Sequence, residues 1–170
     1  MKEPLVTIVT PSYNQASFLE ATMRSVLEQD YAHIEYIVID GGSTDGSVDI
    51  IKKYTDRLAY WSSEKDRGQT DAINKGFAHA TGEILAWINS DDTYEPGAIR
   101  EAVGWMQQHA EMGLVYGDAN FIDDDGKVIG RFPAAQTDYR RLRRGYVHIP
   151  QQAAFFRRDL WQKEIGRAHV

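Results

Sequence analysis

Two neighbouring aspartates, Asp91 and Asp92, end the segment Asn-Ser-Asp-Asp (residues 89–92), which directly follows the apolar run 84–88. Like charges held side by side repel each other, so a bound cation is a natural partner for this pair. Carboxylate oxygens suit hard divalent ions such as Mg²⁺ or Mn²⁺, which also bind phosphate oxygens. The competing interpretation is that residues 90–93 cap the next helix. From the residues alone, both interpretations stay open.

A third carboxylate, Asp40, ends the apolar run 34–39 and opens the segment Asp-Gly-Gly-Ser-Thr-Asp-Gly-Ser (residues 40–47). A carboxylate at the end of a buried strand needs a partner. At this position it can accept from a base N–H or a ribose hydroxyl, and the glycines permit close backbone approach. The alternative is a glycine-rich turn in which Asp45 caps the following helix.

Two charged segments could contact anions. Residues 64–69 (Glu-Lys-Asp-Arg-Gly-Gln) precede a helix predicted over 71–80, and cations beside helix N–H groups favour phosphate. Residues 139–146 (Tyr-Arg-Arg-Leu-Arg-Arg-Gly-Tyr) form a basic cluster that could contact an anionic acceptor or a membrane surface. The alternatives are a solvated loop for the first segment and a solvated helix face for the second.

The elements that position these segments alternate between strands and helices. Strands are predicted over 5–9, 34–39, 58–61 and 84–88, and a capping-box pattern at residues 17–20 predicts a helix start. Such alternation predicts an α/β fold with a mostly parallel sheet flanked by helices. Ligands of these sheets bind beyond the carboxyl ends of the strands. The polar segments 10–14, 40–47 and 89–92 fall there, and the strand-like pieces between 114 and 132 predict an antiparallel hairpin.

Composition narrows the functional classes. The chain has 170 residues, of which 42% are hydrophobic and 26% charged, as expected of one globular domain. Its net charge of -6 disfavours nucleic acid as a partner. There is no cysteine, which excludes disulfides and thiolate metal sites and fits a cytoplasmic location. The sequence has no Walker loop, no G-x-G-x-x-G after a strand, no nucleophile elbow and no H-E-x-x-H motif.

Taken in order, the motifs resemble those of the inverting family 2 glycosyltransferases. The resemblance covers nearly the whole chain to about Lys163 and is carried by residues 6–14 (Val-Thr-Ile-Val-Thr-Pro-Ser-Tyr-Asn), 37–46, 71–77, 80–83 and 89–92. Residues 151–158 (Gln-Gln-Ala-Ala-Phe-Phe-Arg-Arg) also resemble the subgroup that builds bacterial surface polysaccharides.

The resemblance implies a GT-A fold with a Rossmann-like sheet, a nucleotide-sugar donor and a divalent metal, Mn²⁺ or Mg²⁺. It also implies roles for individual residues. Pro11 and Tyr13 line the base and ribose site, Asp40 accepts from the base (typically uracil), and Asp66, Arg67 and Gly68 lie near the nucleotide. Asp91 approaches the ribose or donor sugar, and Asp92, with Asp91, holds the metal. Family members often carry an aspartate where this chain has Asn89, which leaves the number of metal ligands open.

The expected function is transfer of a sugar, with inversion, from a nucleotide-diphosphate donor (a UDP-sugar) to a glycan or lipid-linked acceptor. The setting is cell-envelope polysaccharide synthesis in the bacterial cytoplasm, with peripheral contact at the inner face of the membrane. Two alternatives stay open: a nucleotidyltransferase and a non-catalytic nucleotide-sugar-binding fragment. The first would usually need a basic Gly-rich loop near the first strand, which residues 11–14 do not supply.

An inverting enzyme needs a base for the acceptor hydroxyl, and in related enzymes that base is an aspartate in a later segment. Asp118, Asp138 and Asp159 are available, but none has the expected context. The base is therefore expected beyond residue 163, and the chain is expected to bind donor and metal but to transfer sugar poorly. Residues 164–170 (Glu-Ile-Gly-Arg-Ala-His-Val) resemble the translation of a sequencing-adapter oligonucleotide; the alternative is an ordinary helix end. We therefore expect one domain over 1–163 followed by a tail of non-native origin.

Overall fold

The computed structural model describes residues 3–146 and 148–165. The strands are β1 (Val6–Ser12), β2 (Ile34–Asp40), β3 (Tyr60–Ser63), β4 (Ile84–Trp87), β5 (Leu114–Tyr116), β6 (Ala119–Ile122), β7 (Val128–Phe132) and β8 (Ala154–Arg157). The helices are α1 (Ala16–Leu27), α2 (Ser47–Lys53), α3 (Gln69–His79), α4 (Ala98–Gln108), α5 (Tyr139–Arg143) and α6 (Arg158–Leu160), which runs into a further helical segment, Trp161–Ile165. None of the helices in these described ranges is long and apolar enough to span a membrane.

Six strands form one twisted sheet in the order β3-β2-β1-β4-β8-β5. β1, β2, β3 and β4 run parallel to one another, with Ser12 beside Asp40 and Val9 beside Trp87. β8 runs antiparallel to both β4 and β5. The predicted α/β class with a mostly parallel sheet is therefore confirmed, and the carboxyl ends of β1, β2 and β4 meet at one edge.

Helices cover both faces of the sheet, because alternate strand residues point to opposite sides. Ile8 and Val38 face a core completed by α1 and α4, whereas Val9 and Ile37 face a smaller core completed by α3. α3 approaches β1 so closely that a Cβ on Gly76 would lie 2.4 Å from the Cγ1 of Val9. This close packing fixes the height of the α3 N-terminus relative to the sheet edge.

The predicted antiparallel hairpin is confirmed as β6 and β7, which pair with each other in a separate two-stranded sheet. The place next to β4 is taken by β8, which the sequence analysis did not predict. Phe155 and Phe156 are 2% and 3% exposed, so β8 brings two large apolar side chains to the two cores. The prediction of a single domain over 1–163 is not tested by these features, and residues 166–170 of the proposed tail lie outside the described ranges.

Candidate functional site

A cavity of about 520 Å³ opens at the edge where β1, β2 and β4 end. Its walls come from four segments that are far apart in the chain: the end of β1, the start of the loop after β2, the loop leading into α3, and the turn after β4. The lining residues are Pro11, Ser12, Tyr13, Gln15, Gly41, Lys65, Asp66, Gly68, Gln69, Ala72, Asn89, Ser90 and Asp91. Five of the predicted site residues, Pro11, Tyr13, Asp66, Gly68 and Asp91, are therefore brought together.

The end of β1 forms one wall. Pro11 is buried, whereas the ring of Tyr13 is 62% exposed and stands at the mouth of the cavity. The next residue, Asn14, has a φ of 52° and is held by its neighbours: its N–H donates to Ser43 Oγ at 2.8 Å, and its Oδ1 accepts from the Thr44 N–H at 2.9 Å. These bonds join the loops after β1 and β2, so the turn that carries Tyr13 is held in place by hydrogen bonds from the neighbouring loop.

Asp40 lies beneath the cavity and does not line it. Its carboxylate is fully buried; Oδ2 accepts from the N–H groups of Gly42 and Ser43 and from Ser63 Oγ, and Oδ1 accepts from Ser43 Oγ. The backbone of Gly41, which does reach the cavity, is fixed by donation from its N–H to the Ser12 carbonyl at 2.8 Å. The structure thus shows Asp40 holding the loop together, and its contact with a base stays a prediction.

The loop into α3 forms the opposite wall. Gly68 has a φ of 103°, a conformation that favours glycine, and its N–H donates to Asp66 Oδ1 at 2.8 Å. Asp66 packs against Gly41, where an added Cβ would lie 2.9 Å from Asp66 Oδ2. The helix that begins at Gln69 directs its first N–H groups toward this loop, an arrangement that favours phosphate.

Arg67 is not among the residues that line the cavity. Its side chain is 86% exposed and pairs with Asp71 in the first turn of α3, Nη2 to Oδ1 at 3.0 Å. The hydrogen bond from Arg67, with a further one from its backbone N–H, lowers the pKa of the Asp71 carboxyl. The structure does not bring Arg67 together with the other predicted site residues, and its contact with a nucleotide stays a prediction.

The turn after β4 carries the two adjacent aspartates in unlike settings. Asp91 is exposed and lines the cavity, whereas Asp92 is half-buried and is not among the lining residues. Burial, and then the charge of Asp91, raise the pKa of the Asp92 carboxyl above its usual value. The alternative that residues 90–93 cap a helix is not supported, because α4 begins at Ala98 and follows Gly97.

Three side-chain amides are joined by hydrogen bonds, and one of them, Asn89, contacts Asp92. Asn89 Nδ2 donates to Asp92 Oδ2 at 3.1 Å and to Gln151 Oε1 at 3.3 Å. Gln69 Nε2 donates to Asn89 Oδ1 at 2.6 Å, and Gln151 Nε2 donates to the Trp87 carbonyl at 2.7 Å. We call Gln69, Asn89 and Gln151 the amide chain; it links the α3 N-terminus to the turn after β4.

Sequence reasoning missed Gln69 and Gln151 as members of the site. The signal for Gln69 was its place at the start of a helix that follows a charged loop. The signal for Gln151 was weaker: two adjacent glutamines precede the apolar residues that form β8. Only the pairing of β8 with β4 shows that Gln151 reaches the turn after β4.

The family model for glycosyl transferase family 2 matches residues 7–165. The chain belongs to this family. It is 34% identical over 96% of its length to an uncharacterised glycosyltransferase of Mycobacterium tuberculosis, of which it covers 62%. It is 31% identical over 76% of its length to the putative teichuronic acid biosynthesis glycosyltransferase TuaG of Bacillus subtilis, of which it covers 52%.

Solved structures share the fold of this family 2 chain. The mannosyltransferase PcManGT of Pyrobaculum calidifontis, in complex with GDP-Man and Mn²⁺, is 25% identical with a TM-score of 0.72 and covers 98% of this chain and 48% of its own. TarS of S. aureus (residues 1–349) with UDP-GlcNAc is 18% identical with a TM-score of 0.77, over 96% and 48% of the two chains. The GT-A fold expected from the motifs is confirmed. The chain spans about half the length of these proteins.

The two carboxylates at the end of β4, Asp91 and Asp92, fit a divalent cation that binds together with a diphosphate. No group of three or more His, Asp or Glu side chains within residues 3–146 and 148–165 could hold a metal alone. Mg²⁺ and similar ions are commonly bound by one or two carboxylates plus substrate phosphates, which Asp91 and Asp92 satisfy. The raised pKa of Asp92 reflects a burial and repulsion that a cation would relieve.

The three aspartates considered for the base serve other contacts. Asp118 binds Arg131 and the Ala134 N–H, which lowers the pKa of its carboxyl. Asp138 accepts from the Arg141 N–H at the start of α5, and Asp159 pairs with Lys163. None of the three lines the cavity, so no catalytic base is assigned within the part of the chain that the structure describes.

Proposed function

We propose that this family 2 chain is the donor-binding part of an inverting glycosyltransferase that uses a nucleotide-diphosphate sugar. The observation that carries the proposal is the single cavity that joins Tyr13, Gly68 and Asp91 at the carboxyl edge of a parallel sheet. An aromatic ring, a helix N-terminus and the carboxylate of Asp91, next to Asp92 in the chain, meet there. They match the three parts of such a donor: a flat base, a diphosphate and a cation.

The nucleotide base would bind beside Tyr13 and Pro11, and the diphosphate would lie between the α3 N-terminus and the turn after β4. We expect a UDP-sugar, because the family resemblance of residues 37–46 implies that Asp40 accepts from the base, typically uracil. The PcManGT complex with GDP-Man shows that a related protein accepts a guanine nucleotide. GDP-sugars therefore belong in any test of this chain.

Asp91 and Asp92 would hold the divalent cation, Mn²⁺ or Mg²⁺. When bound, such an ion neutralises the negative charge that develops on the diphosphate as the bond to the sugar breaks. The protein's own contribution is to keep the Asp91 carboxylate at the cavity wall with Asp92 as its neighbour in the same turn. The amide chain contributes by donating an N–H from Asn89 to Asp92.

The acceptor is proposed to be a glycan or lipid-linked molecule of the bacterial cell envelope, in line with the name of the Bacillus relative. A peripheral contact with the inner face of the membrane is part of this proposal. It would involve the basic segment around α5, where Arg140, Arg143 and Arg144 are exposed. Anionic lipids attract such clusters at about 1 kcal/mol per basic residue near the surface.

A thermal-shift panel of UDP- and GDP-sugars, with and without Mn²⁺, tests the proposal. A donor present at a hundred times its dissociation constant should stabilise the chain by about 2.7 kcal/mol. The shift should require Mn²⁺ and should be largely lost in Asp92→Asn. A well-folded chain whose melting temperature responds to no nucleotide sugar would contradict donor binding.

The same preparation separates transfer from binding. The aspartates that line the cavity, Asp66 and Asp91, both face the proposed nucleotide site and are not available as the catalytic base. We therefore expect donor binding and slow hydrolysis without efficient transfer to an acceptor. Robust sugar transfer by the chain alone would show that the base lies within it. Assembly of a nucleotide sugar from a nucleoside triphosphate and a sugar phosphate would instead favour a nucleotidyltransferase.

A further inference from the structure

The amide chain has a defined direction, although side-chain amides can in general be turned either way. The Trp87 carbonyl can only accept, so the Gln151 atom that lies 2.7 Å from it must be the nitrogen. Gln151 Oε1 then faces Asn89 and requires the Asn89 nitrogen, at 3.3 Å. One backbone carbonyl of β4 therefore fixes two side-chain amides in series.

A second contact of Asn89 agrees with this direction. With the amide in this orientation, Asn89 Nδ2 also donates to Asp92 Oδ2 at 3.1 Å, and a carboxylate oxygen is an acceptor. Asn89 Oδ1 is then left facing Gln69, which donates to it at 2.6 Å. If the Asn89 amide turned over, its oxygen would face both the Asp92 carboxylate and Gln151 Oε1, and three hydrogen bonds would be lost.

We propose that Gln151 is a positioning residue that acts through Asn89 on the Asp92 carboxylate. The inference rests on the proposed function, since Asp92 is there the ligand of the cation that binds with the diphosphate. Gln151 lies in the short segment Gln151–Ala153 that leads into the antiparallel strand β8. This segment therefore contributes to a site that is otherwise built at the ends of parallel strands. Gln151 touches neither nucleotide nor cation in this account; it keeps the Asn89 N–H directed at Asp92.

The role depends on asparagine at position 89. An aspartate there would place a carboxylate oxygen against Gln151 Oε1, and Gln151 could avoid that repulsion only by giving up its bond to Trp87. Asn89 and Gln151 are thus a matched pair, which gives a physical reason for the departure at position 89 from the resembled motif. The turn then carries two negative charges, Asp91 and Asp92, instead of three.

The test measures Mn²⁺ affinity in the presence of saturating UDP or GDP by EPR of free Mn²⁺. Gln151→Met keeps the length of the side chain and removes both hydrogen bonds, and Gln152→Ala is the matched control because Gln152 takes no part in the amide chain. Partners of metal ligands typically change affinity by roughly 10- to 100-fold. We expect a loss near tenfold for Asn89→Ala, a loss of about fivefold for Gln151→Met, and less than about twofold for Gln152→Ala.

A double-mutant cycle separates positioning from a general loss of structure. If Gln151 acts through Asn89, Gln151→Met should cost less than about twofold in the Asn89→Ala background. Equal losses in both backgrounds, or a Gln151→Met affinity equal to that of Gln152→Ala, would overturn the proposal. Failure of the wild-type chain to bind Mn²⁺ in the presence of either UDP or GDP would contradict the proposed function itself, which is a distinct outcome.

A measurement on the unmodified chain covers the case in which Gln151→Met does not fold. The side-chain NH₂ of Asn89, which donates to Asp92 and Gln151, should exchange with deuterium more slowly than that of Asn120, which is exposed and donates to Glu95 Oε1 at 3.3 Å. Exchange of the Asn89 NH₂ as fast as that of Asn120 would show that the amide is not held, and the proposal would fail.

Discussion

The ends of β2 and β4 look alike in the sequence and differ in the structure. Each strand is an apolar run followed by aspartate within a polar turn. At the end of β2, Asp40 is fully buried and its oxygens already accept four hydrogen bonds from the protein. At the end of β4, Asp91 is exposed at the cavity and Asp92 carries a raised pKa. The comparison teaches that an aspartate becomes a candidate ligand only where the protein leaves its charge uncompensated.

The largest expected effect is on stability at the end of β2. Asp40→Ala would leave the N–H groups of Gly42 and Ser43 and the hydroxyl of Ser63 without their acceptor inside the protein, and we expect a cost of about 3 kcal/mol. Urea denaturation measures this free energy of unfolding. Asp91→Ala, the matched exposed aspartate, should change it by less than about 0.5 kcal/mol. Equal stability of the two variants would erase the distinction between the two strand ends.

The next effect is on binding at the end of β4. Asp92→Asn removes a charged ligand and keeps the shape of the side chain, so we expect Mn²⁺-dependent binding of UDP or GDP to weaken by roughly 10- to 100-fold or more. Calorimetric titration of nucleotide in excess Mn²⁺ gives the dissociation constant. The same variant should be no less stable than the parent chain, since it relieves a buried and repelled carboxylate. Unchanged affinity would remove Asp92 from the site.

A smaller effect concerns pH. Because the pKa of Asp92 is raised in the folded chain, its protonated form is favoured by folding. Its contribution to stability is therefore full below the ordinary carboxyl range and is lost as pH rises through the raised folded value. The stability of Asp92→Asn relative to the parent should increase over that interval in metal-free buffer. A difference in unfolding free energy between the two proteins that stays constant from about pH 3 to about pH 7, an interval that includes the ordinary carboxyl pKa range, would contradict a raised pKa.

The smallest expected effect concerns the contact between the loop after β2 and the loop that leads into α3. In Gly41→Ala the new Cβ would lie 2.9 Å from Asp66 Oδ2, so Asp66 must move, at a cost of about 1 kcal/mol. Nucleotide affinity should fall modestly, because both residues line the cavity. Gly117→Ala, at a position where an added Cβ meets nothing within 4 Å, is the control. Equal nucleotide affinity in the two variants would show that this contact does not shape the cavity.

Much of the fold follows from periodicity in the sequence. The four parallel strands, the helices between them and the hairpin were all predicted, because each is encoded by a local run of apolar residues and turn signals. The strand bounds differ by a few residues: β1 continues through Ser12 because it pairs with β2 over its whole length. β8 was missed, since a four-residue strand that joins the sheet from a distant segment has no distinctive local pattern.

Long-range contacts explain the errors in detail. The capping box predicted at residues 17–20 is wrong, because α1 begins at Ala16, whose N–H donates to Asp45 Oδ2 from the next loop. Asp45 also accepts from the N–H of Ser47 at the start of α2, so one carboxylate serves two helices. Likewise, no local signal shows that the partners of Asp40 include Ser63, or that Gln151 reaches Asn89. The sequence predicts which polar segments meet, but not which of their oxygens are already occupied.

The most direct measurement is a crystal structure of the chain with Mn²⁺ and UDP, with the ion located by its anomalous signal. We expect the ion between the diphosphate and the carboxylates of Asp91 and Asp92, with Asp40 still bound to Gly42 and Ser43. An ion located away from both Asp91 and Asp92, or a diphosphate bound outside the cavity between β1, α3 and the end of β4, would contradict the account.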